Sequence, residues 1–345
     1  MPSRRPPSWS AVAAELAAHF PRTRLEPAVV AWADRAAGHR PWTVGFSGGA
    51  DSLALLLLLW AHWPERRAGL RVLHFDHRLR GREARADAVF ARRVGAALGL
   101  DTVVGRWSAA HPAASEAEAR AARLAFFAAH GRVLWLGHQQ DDVAESLLMR
   151  LARGSGTAGL AAPRPVQQWT DGKVTLRPLL GLGKNEIVAA LQAVGAVWRE
   201  DATNAGDRFF RNRIRRDVVP VWQRAAGRDA VAGAARSRRL LEEDDAALEA
   251  WLDLLDTRRG TSLSVAALAG LPRALARRAL HRWLAGLRPA TALSSQAFED
   301  LLDCVVAGKP TRRSLDATRL AELRGGILRA VKNADSRGAF PRRAN

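Results

Sequence analysis

From residue 42 to about residue 200, short apolar runs alternate with longer stretches of helical periodicity. That alternation points to βαβ units around a parallel sheet, because parallel strands need a long crossover and an α-helix is the usual one. Thr43 to Phe46 reads as the first strand and Ala50 to Trp60 as its helix. Leu70 to Phe75, Asp101 to Val104 and Val133 to Gly137 read as the next three strands. Ser115, with Glu118 three residues on, forms a capping box that opens a helix toward His130. In open sheets of this kind ligands bind beyond the carboxyl ends of the strands, so the polar residues after Phe46, Phe75 and Gly137 are expected to converge.

Beyond Pro220 the strand signals fade, and Ala, Leu and Arg dominate at helical spacing. Arg236 to Leu255, Pro272 to Gly286 and Ser295 to Val306 read as helices, the second with proline in its first turn. The expected plan is an N-terminal helical extension over 1–40, an α/β nucleotide-binding domain over 41–225, an all-α C-terminal domain over 226–332 and a disordered tail over 333–345. A formal charge of +19 attracts polyanions, of which nucleic acid is the commonest, although arginine supplies most of it and tyrosine is absent, which also fits compositional drift. The single cysteine, Cys304, excludes an internal disulfide or a Cys-x-x-Cys pair and fits a reducing cytoplasm. The apolar run Leu53 to Trp60 is far shorter than the roughly 20 residues of a membrane span, so a buried core helix and no membrane partner are expected.

Ser47-Gly48-Gly49-Ala50-Asp51-Ser52 follows the first strand and opens a helix, which aims backbone N–H groups and the helix dipole at one spot suited to an anion. Adjacent glycines let backbone approach phosphate, and the two serines add hydroxyls. The Gly-Lys-Ser/Thr ending of a Walker loop is absent. The hexapeptide resembles the pyrophosphate loop of the N-type ATP pyrophosphatases, or PP-loop superfamily. That likeness implies a Rossmann-like, adenine nucleotide alpha hydrolase-like domain that cleaves ATP between its α and β phosphates.

A second segment, Gly137-His138-Gln139-Gln140-Asp141-Asp142-Val143-Ala144-Glu145-Ser146, lies at the end of the fourth strand. Two carboxylates at a helix start are ordinary caps when alone. Gathered with Asp51 in one crevice, they exceed what caps need and suit magnesium and a cationic substrate. Together with Arg150, Arg153-Gly154-Ser155-Gly156, Arg177-Pro178-Leu179-Leu180, Lys184, Glu200-Asp201-x-x-Asn204 and Phe210 to Arg215, this segment resembles the tRNA(Ile)-lysidine synthetase family. Asp76-His77 and Glu116 with Arg120 and Arg123 fall in the same order, over about residues 42 to 225. The chain departs from the family pattern at Leu124, Val143 and Ser146, where Tyr, Gln and Thr are more usual.

The resemblance implies a ligase that forms a carbon–nitrogen bond. Cytidine in tRNA(Ile) bearing a CAU anticodon would be adenylated on its C2 oxygen by ATP, and L-lysine would then attack C2 and displace AMP. Ser47 to Ser52 would bind ATP, with Asp51, His138, Asp141, Asp142 and Arg213 catalytic and Glu145 orienting lysine. Magnesium (Mg2+) would sit at Asp51 and Asp142, with Asp141 as the alternative second carboxylate. Asp141 or His138 would take the amine's proton. Arg153, Arg208, Arg211 and Arg215 would meet tRNA, as would the helical C-terminal domain over 226–332, where Arg273, Arg277, Arg278 and Arg282 form a further basic stripe suited to phosphate. A homodimer stays open. The rivals are a tRNA 2-thiolation enzyme, which one cysteine disfavours, and a non-catalytic RNA-binding module, which the intact acids disfavour.

Overall fold

The computed structural model describes residues 7–36, 40–77, 82–109, 115–169, 171–199, 210–255 and 257–333. Its contacts divide the chain into two compact units, one ending at Glu242 and the other beginning at Glu243. The division falls later than the composition change near residue 226, because one unbroken helix runs from Ala230 to Leu254.

In the first unit a six-stranded sheet contains β1 (Trp42–Gly45), β2 (Leu70–Asp76), β3 (Asp101–Arg106), β4 (Val133–Trp135), β5 (Val166–Gln168) and β6 (Val174–Leu176). The order is β3-β2-β1-β4-β6-β5, parallel except for the edge strand β5. Strand order reverses between β1 and β4, which opens a crevice at their carboxyl ends. The expected strands are all present. The β5–β6 pair is an addition, for each strand has three residues and Gln167 and Gln168 give β5 little apolar signal.

Around this sheet the described residues form ten helices: α1 (Trp9–His19), α2 (Pro27–Arg35), α3 (Ala50–His62), α4 (Arg82–Ala97), α5 (Glu116–His130), α6 (Gln140–Leu151), α7 (Thr157–Leu160), α8 (Lys184–Ala193), α9 (Phe210–Arg213) and α10 (Val219–Ala226); α11 (Ala230–Leu254) follows. Leu53 to Leu59 of α3 are all buried, as an all-round apolar helix must be. Val12, Ala13 and Leu16 of α1 enter the same core, so the N-terminal helices are built into the α/β unit. The capping box on α5 forms, with Glu118 N donating to Ser115 Oγ at 3.2 Å and Ser115 N to Glu118 Oε2 at 2.7 Å.

The second unit corrects the all-α expectation. The helices α12 (Arg273–Gly286) and α13 (Ser295–Val306) are where the periodicity placed them. They pack on an antiparallel sheet of β7 (Arg258–Arg259), β8 (Ser262–Ser264), β9 (Thr311–Ser314), β10 (Arg319–Arg324) and β11 (Ile327–Lys332), ordered β7-β8-β11-β10-β9. Ala321, Leu323 and Leu328 point into a core with Leu275, Leu280 and Leu301. Gly325 and Gly326, with φ of 58° and 73°, make the two-residue hairpin turn between β10 and β11. The expected tail from 334 onward lies outside the described residues. Among the described residues no helix is long and apolar enough to cross a membrane.

Candidate active site

The turn after β1 is closed on itself. Phe46 N donates to Leu73 O at 2.9 Å, and His74 Nδ1 lies 2.9 Å from Phe46 O. Because a carbonyl only accepts, that Nδ1 carries the proton. Buried Ser52 then gathers the loop: its Oγ accepts from Ser47 N and Gly48 N, both at 3.2 Å, and donates to Gly49 O at 3.0 Å. Gly48 has φ +94°, a conformation that strains any side chain. Gly49 caps α3, so the helix's positive end faces the turn.

The second segment meets this loop directly. A Cβ on Gly137 would lie 2.7 Å from Asp51 O and 3.2 Å from Ser52 N, so only glycine lets the end of β4 touch the start of α3. The expected convergence therefore occurs in one crevice. Gln139 and Asp142 cap α6 reciprocally, with Gln139 N donating to Asp142 Oδ2 at 3.0 Å and Asp141 N to Gln139 Oε1 at 2.6 Å.

Lys184, the first residue of α8, joins the halves. Its Nζ donates to Asp51 Oδ2 at 2.9 Å, and its backbone N donates to Asp141 Oδ2 at 3.3 Å. Burial raises the Asp51 pKa against the pull of Lys184, with Asp142 and Asp141 adding to the rise. Burial raises Asp141 as well, opposed by backbone N–H donors and reinforced by Glu145 and Asp142. Asp51 Oδ1 is buried without a hydrogen-bond partner among the described residues.

Two arginines face Asp142 and Glu145. Arg211 donates to Glu145 Oε2 and to Asp142 Oδ1, each at 2.6 Å. Arg215 binds Glu145 through both Nε and Nη2, the latter at 3.1 Å. Burial opposes the charge on Arg211, but Asp142 and Glu145 outweigh it and raise its pKa. Glu145, 1% exposed, has both oxygens engaged by guanidinium groups. Arg211 and Arg215 share a helix face, whereas Arg213 is exposed with its guanidinium 5.7 Å from the Phe210 ring. The sequence-based assignment put Arg213 in the catalytic set and Arg211 and Arg215 on tRNA; the structure brings Arg211 and Arg215 to the acids of the site. Residues 214–218 widen into a π turn ahead of Pro220, which has no N–H for the helical ladder.

His138 is held from behind. Arg177 Nε donates to its Nδ1 at 3.0 Å, and Arg177 Nη1 donates to Arg164 O at 2.7 Å. Burial, then Arg177, Arg211, Arg120 and Arg123, push the His138 pKa well below the usual range. Burial lowers Arg177 to about 10, with Arg120 contributing, so it stays a cation at neutral pH. The ring is therefore neutral, its Nδ1 an acceptor and its Nε2 the proton carrier. His138 is thus arranged to donate a hydrogen bond from Nε2.

Other residues fall around this centre. Arg153 is exposed in the turn after α6, where Gly154 has φ +72°. Arg208, Glu200, Asp201 and Asn204 lie outside the described residues. Sequence reasoning missed the roles of Arg177 and Lys184, though both stood in the motif blocks, and it missed Arg199 altogether. Arg199 N donates to Gly48 O at 2.9 Å while its Nε donates to Asp87 at 2.9 Å.

Strand order, loop and twin acids define a PP-loop nucleotide-binding protein. The PP-loop domain family matches residues 22–222, and the TilS substrate binding domain matches residues 263–324. The chain belongs to the tRNA(Ile)-lysidine synthase family. A tRNA(Ile)-lysidine synthase of Solibacter usitatus is 47% identical over 184 residues, covering 51% of this chain and 40% of that protein. One from Salinispora arenicola is 37% identical over 279 residues, covering 78% and 83%. The match spans 44% and 58% of two further relatives, from Symbiobacterium thermophilum and Geobacter sulfurreducens. Among solved structures, the U34-tRNA thiolase NcsA of Methanococcus maripaludis superposes with a TM-score of 0.50 at 16% identity, over 67% of this chain and 78% of that one, a likeness of fold.

Proposed function

We propose that the chain is a cytoplasmic ligase that joins L-lysine to C2 of the wobble cytidine in the CAU-anticodon tRNA(Ile). The product, lysidine, changes codon reading from AUG to AUA and aminoacylation from methionine to isoleucine. The observation that carries this reading is the contact between the phosphate turn and the twin-aspartate segment, closed by Lys184. The C2 oxygen of cytosine leaves poorly, so it first attacks the ATP α-phosphate and releases diphosphate into the turn at Ser47 to Ser52. The lysine amine then attacks C2, AMP departs with that oxygen, and the amine's proton goes to Asp141, whose raised pKa makes it the better base.

The orphaned Asp51 Oδ1 fits a magnesium ion. Asp142, whose oxygens also meet the helix cap and Arg211, would be its second carboxylate, which leaves Asp141 to take the amine's proton. Among the described residues no three metal-ligating side chains cluster, which suits an ion completed by phosphate oxygens and water. Such an ion would neutralise phosphate charge as the new bond forms. His138 donates from Nε2 to the reacting group. Lysine reaches Glu145 by displacing the more exposed Arg215, one cation replacing another on a buried carboxylate.

Diphosphate and AMP release from ATP, followed with and without bulk tRNA and lysine, tests the reading. Diphosphate release is expected to require tRNA and AMP release to require lysine as well. Diphosphate release independent of RNA, or AMP release independent of lysine, refutes it.

A further inference from the structure

The second unit segregates its charges. Residues 243–306 carry seven arginines against nine acidic residues, whereas residues 307–333 carry seven basic residues against two acidic ones. The arginine stripe of α12, expected to meet phosphate, instead faces carboxylates. Arg273 lies 3.0 Å from Glu299 and 2.6 Å from Asp303, and Arg278 lies 2.5 Å from Asp245 and 2.9 Å from Glu249. Arg277 and Arg282 are engaged in the same way. A phosphate arriving there has to displace a carboxylate already in place.

The sheet offers the opposite situation. Alternation turns Ala321, Leu323 and Leu328 inward and presents Glu322, Arg324 and Arg329 on the other face. The register sets Arg312, Glu322 and Arg329 side by side across three strands, with Arg324 on the same face opposite Ile327. Arg312 and Arg329, 62% and 54% exposed, share Glu322 at 3.2 Å and 2.6 Å. Two guanidinium groups on one carboxylate leave a positive charge over, and Arg324 adds another. Each guanidinium has more donors than a shared carboxylate can fill. No aromatic side chain occurs on β9, β10 or β11, so the face lacks the aromatic platforms on which unpaired bases commonly stack. Its chemistry matches the backbone of paired RNA, which proteins read through phosphates and shape.

We propose that the open face of β9, β10 and β11 docks the phosphate backbone of a folded RNA stem through Arg312, Arg324 and Arg329. This rests on tRNA being the substrate and adds where on the second unit a stem is held.

Binding of the full chain to a tRNA transcript, measured across a salt series, tests it. Each phosphate contact removed flattens the log affinity against log salt slope by roughly 0.7–0.9. The Arg312→Gln/Arg324→Gln/Arg329→Gln variant is expected to flatten it by about 2 and to weaken binding on the order of 10–100-fold near physiological salt. Arg273→Gln/Arg277→Gln is expected to leave the slope unchanged. Circular dichroism checks folding; should the triple variant fail, Arg324→Gln alone is expected to flatten the slope by about 1. An unchanged slope in a folded variant, with the parent chain binding tRNA, overturns the docking face. A parent chain that binds no tRNA overturns the substrate reading instead. Binding to phosphatidylserine vesicles that the triple variant loses, with its tRNA slope intact, shows a membrane face and overturns the choice of RNA.

Discussion

Gly137→Ala probes the contact on which the candidate site is built. The added methyl would sit 2.7 Å from Asp51 O and 2.9 Å from the Asp51 carbonyl carbon, where ordinary contact begins at 3.4 Å. The two backbones must therefore part by about 0.7 Å, and neither is a flexible side-chain end. Asp51 lies in the first turn of α3, and Leu136, beside Gly137, is tied by its N to Leu176 O at 2.9 Å. Overpacking of this kind costs about 1–3 kcal/mol, which at roughly 2–4 °C per kcal/mol lowers Tm by about 2–12 °C. Displacement approaching 1 Å between reacting groups costs on the order of 10²-fold in rate. Calorimetry and tRNA-dependent diphosphate release measure the two effects separately. Gly233→Ala, in α11 with nothing within 4 Å of the new Cβ, is expected to restore about 0.5–1 kcal/mol of stability to the double variant without restoring turnover. Full turnover by folded Gly137→Ala at saturating ATP would refute the argument.

Lys184→Ala removes the cation that holds down the Asp51 pKa, so the acidic limb of a kcat/KM profile is expected to move to higher pH, with Lys184→Arg partly restoring it. Arg211→Ala leaves the buried acids undercompensated and is expected to cost about 3–5 kcal/mol in urea denaturation, against about 0.5 kcal/mol or less for exposed Arg213→Ala. The depressed pKa of His138 means that the unfolded ring binds a proton as pH falls below about 6.5 while the folded ring does not, so stability declines in that window. Arg177→Met is expected to lessen that decline and to let ring 15N spectra show a proton on Nδ1; an unchanged spectrum would speak against tautomer control.

The first strands, the phosphate turn and the twin acids were legible because each is local: an apolar run, a glycine pair, a cap. The C-terminal helices were legible for the same reason. Strands β10 and β11 were not, because each has only six residues and Leu320, Ile327 and Val331 fall on the face of Glu322 and Arg329, which breaks the apolar alternation. The Gly325-Gly326 turn was the available signal. Placement of Arg211, Arg213 and Arg215 was illegible for a different reason, since a π turn alters the helical phase and the acids they meet lie in a distant segment. The Arg177 contact with His138 is likewise long-range. Nothing in either local sequence sets its distance.

Lys184 touches one carboxylate with its side chain and another with its main chain. Whatever shifts the start of α8 therefore alters the surroundings of both acids at once, through a single residue and with no domain movement.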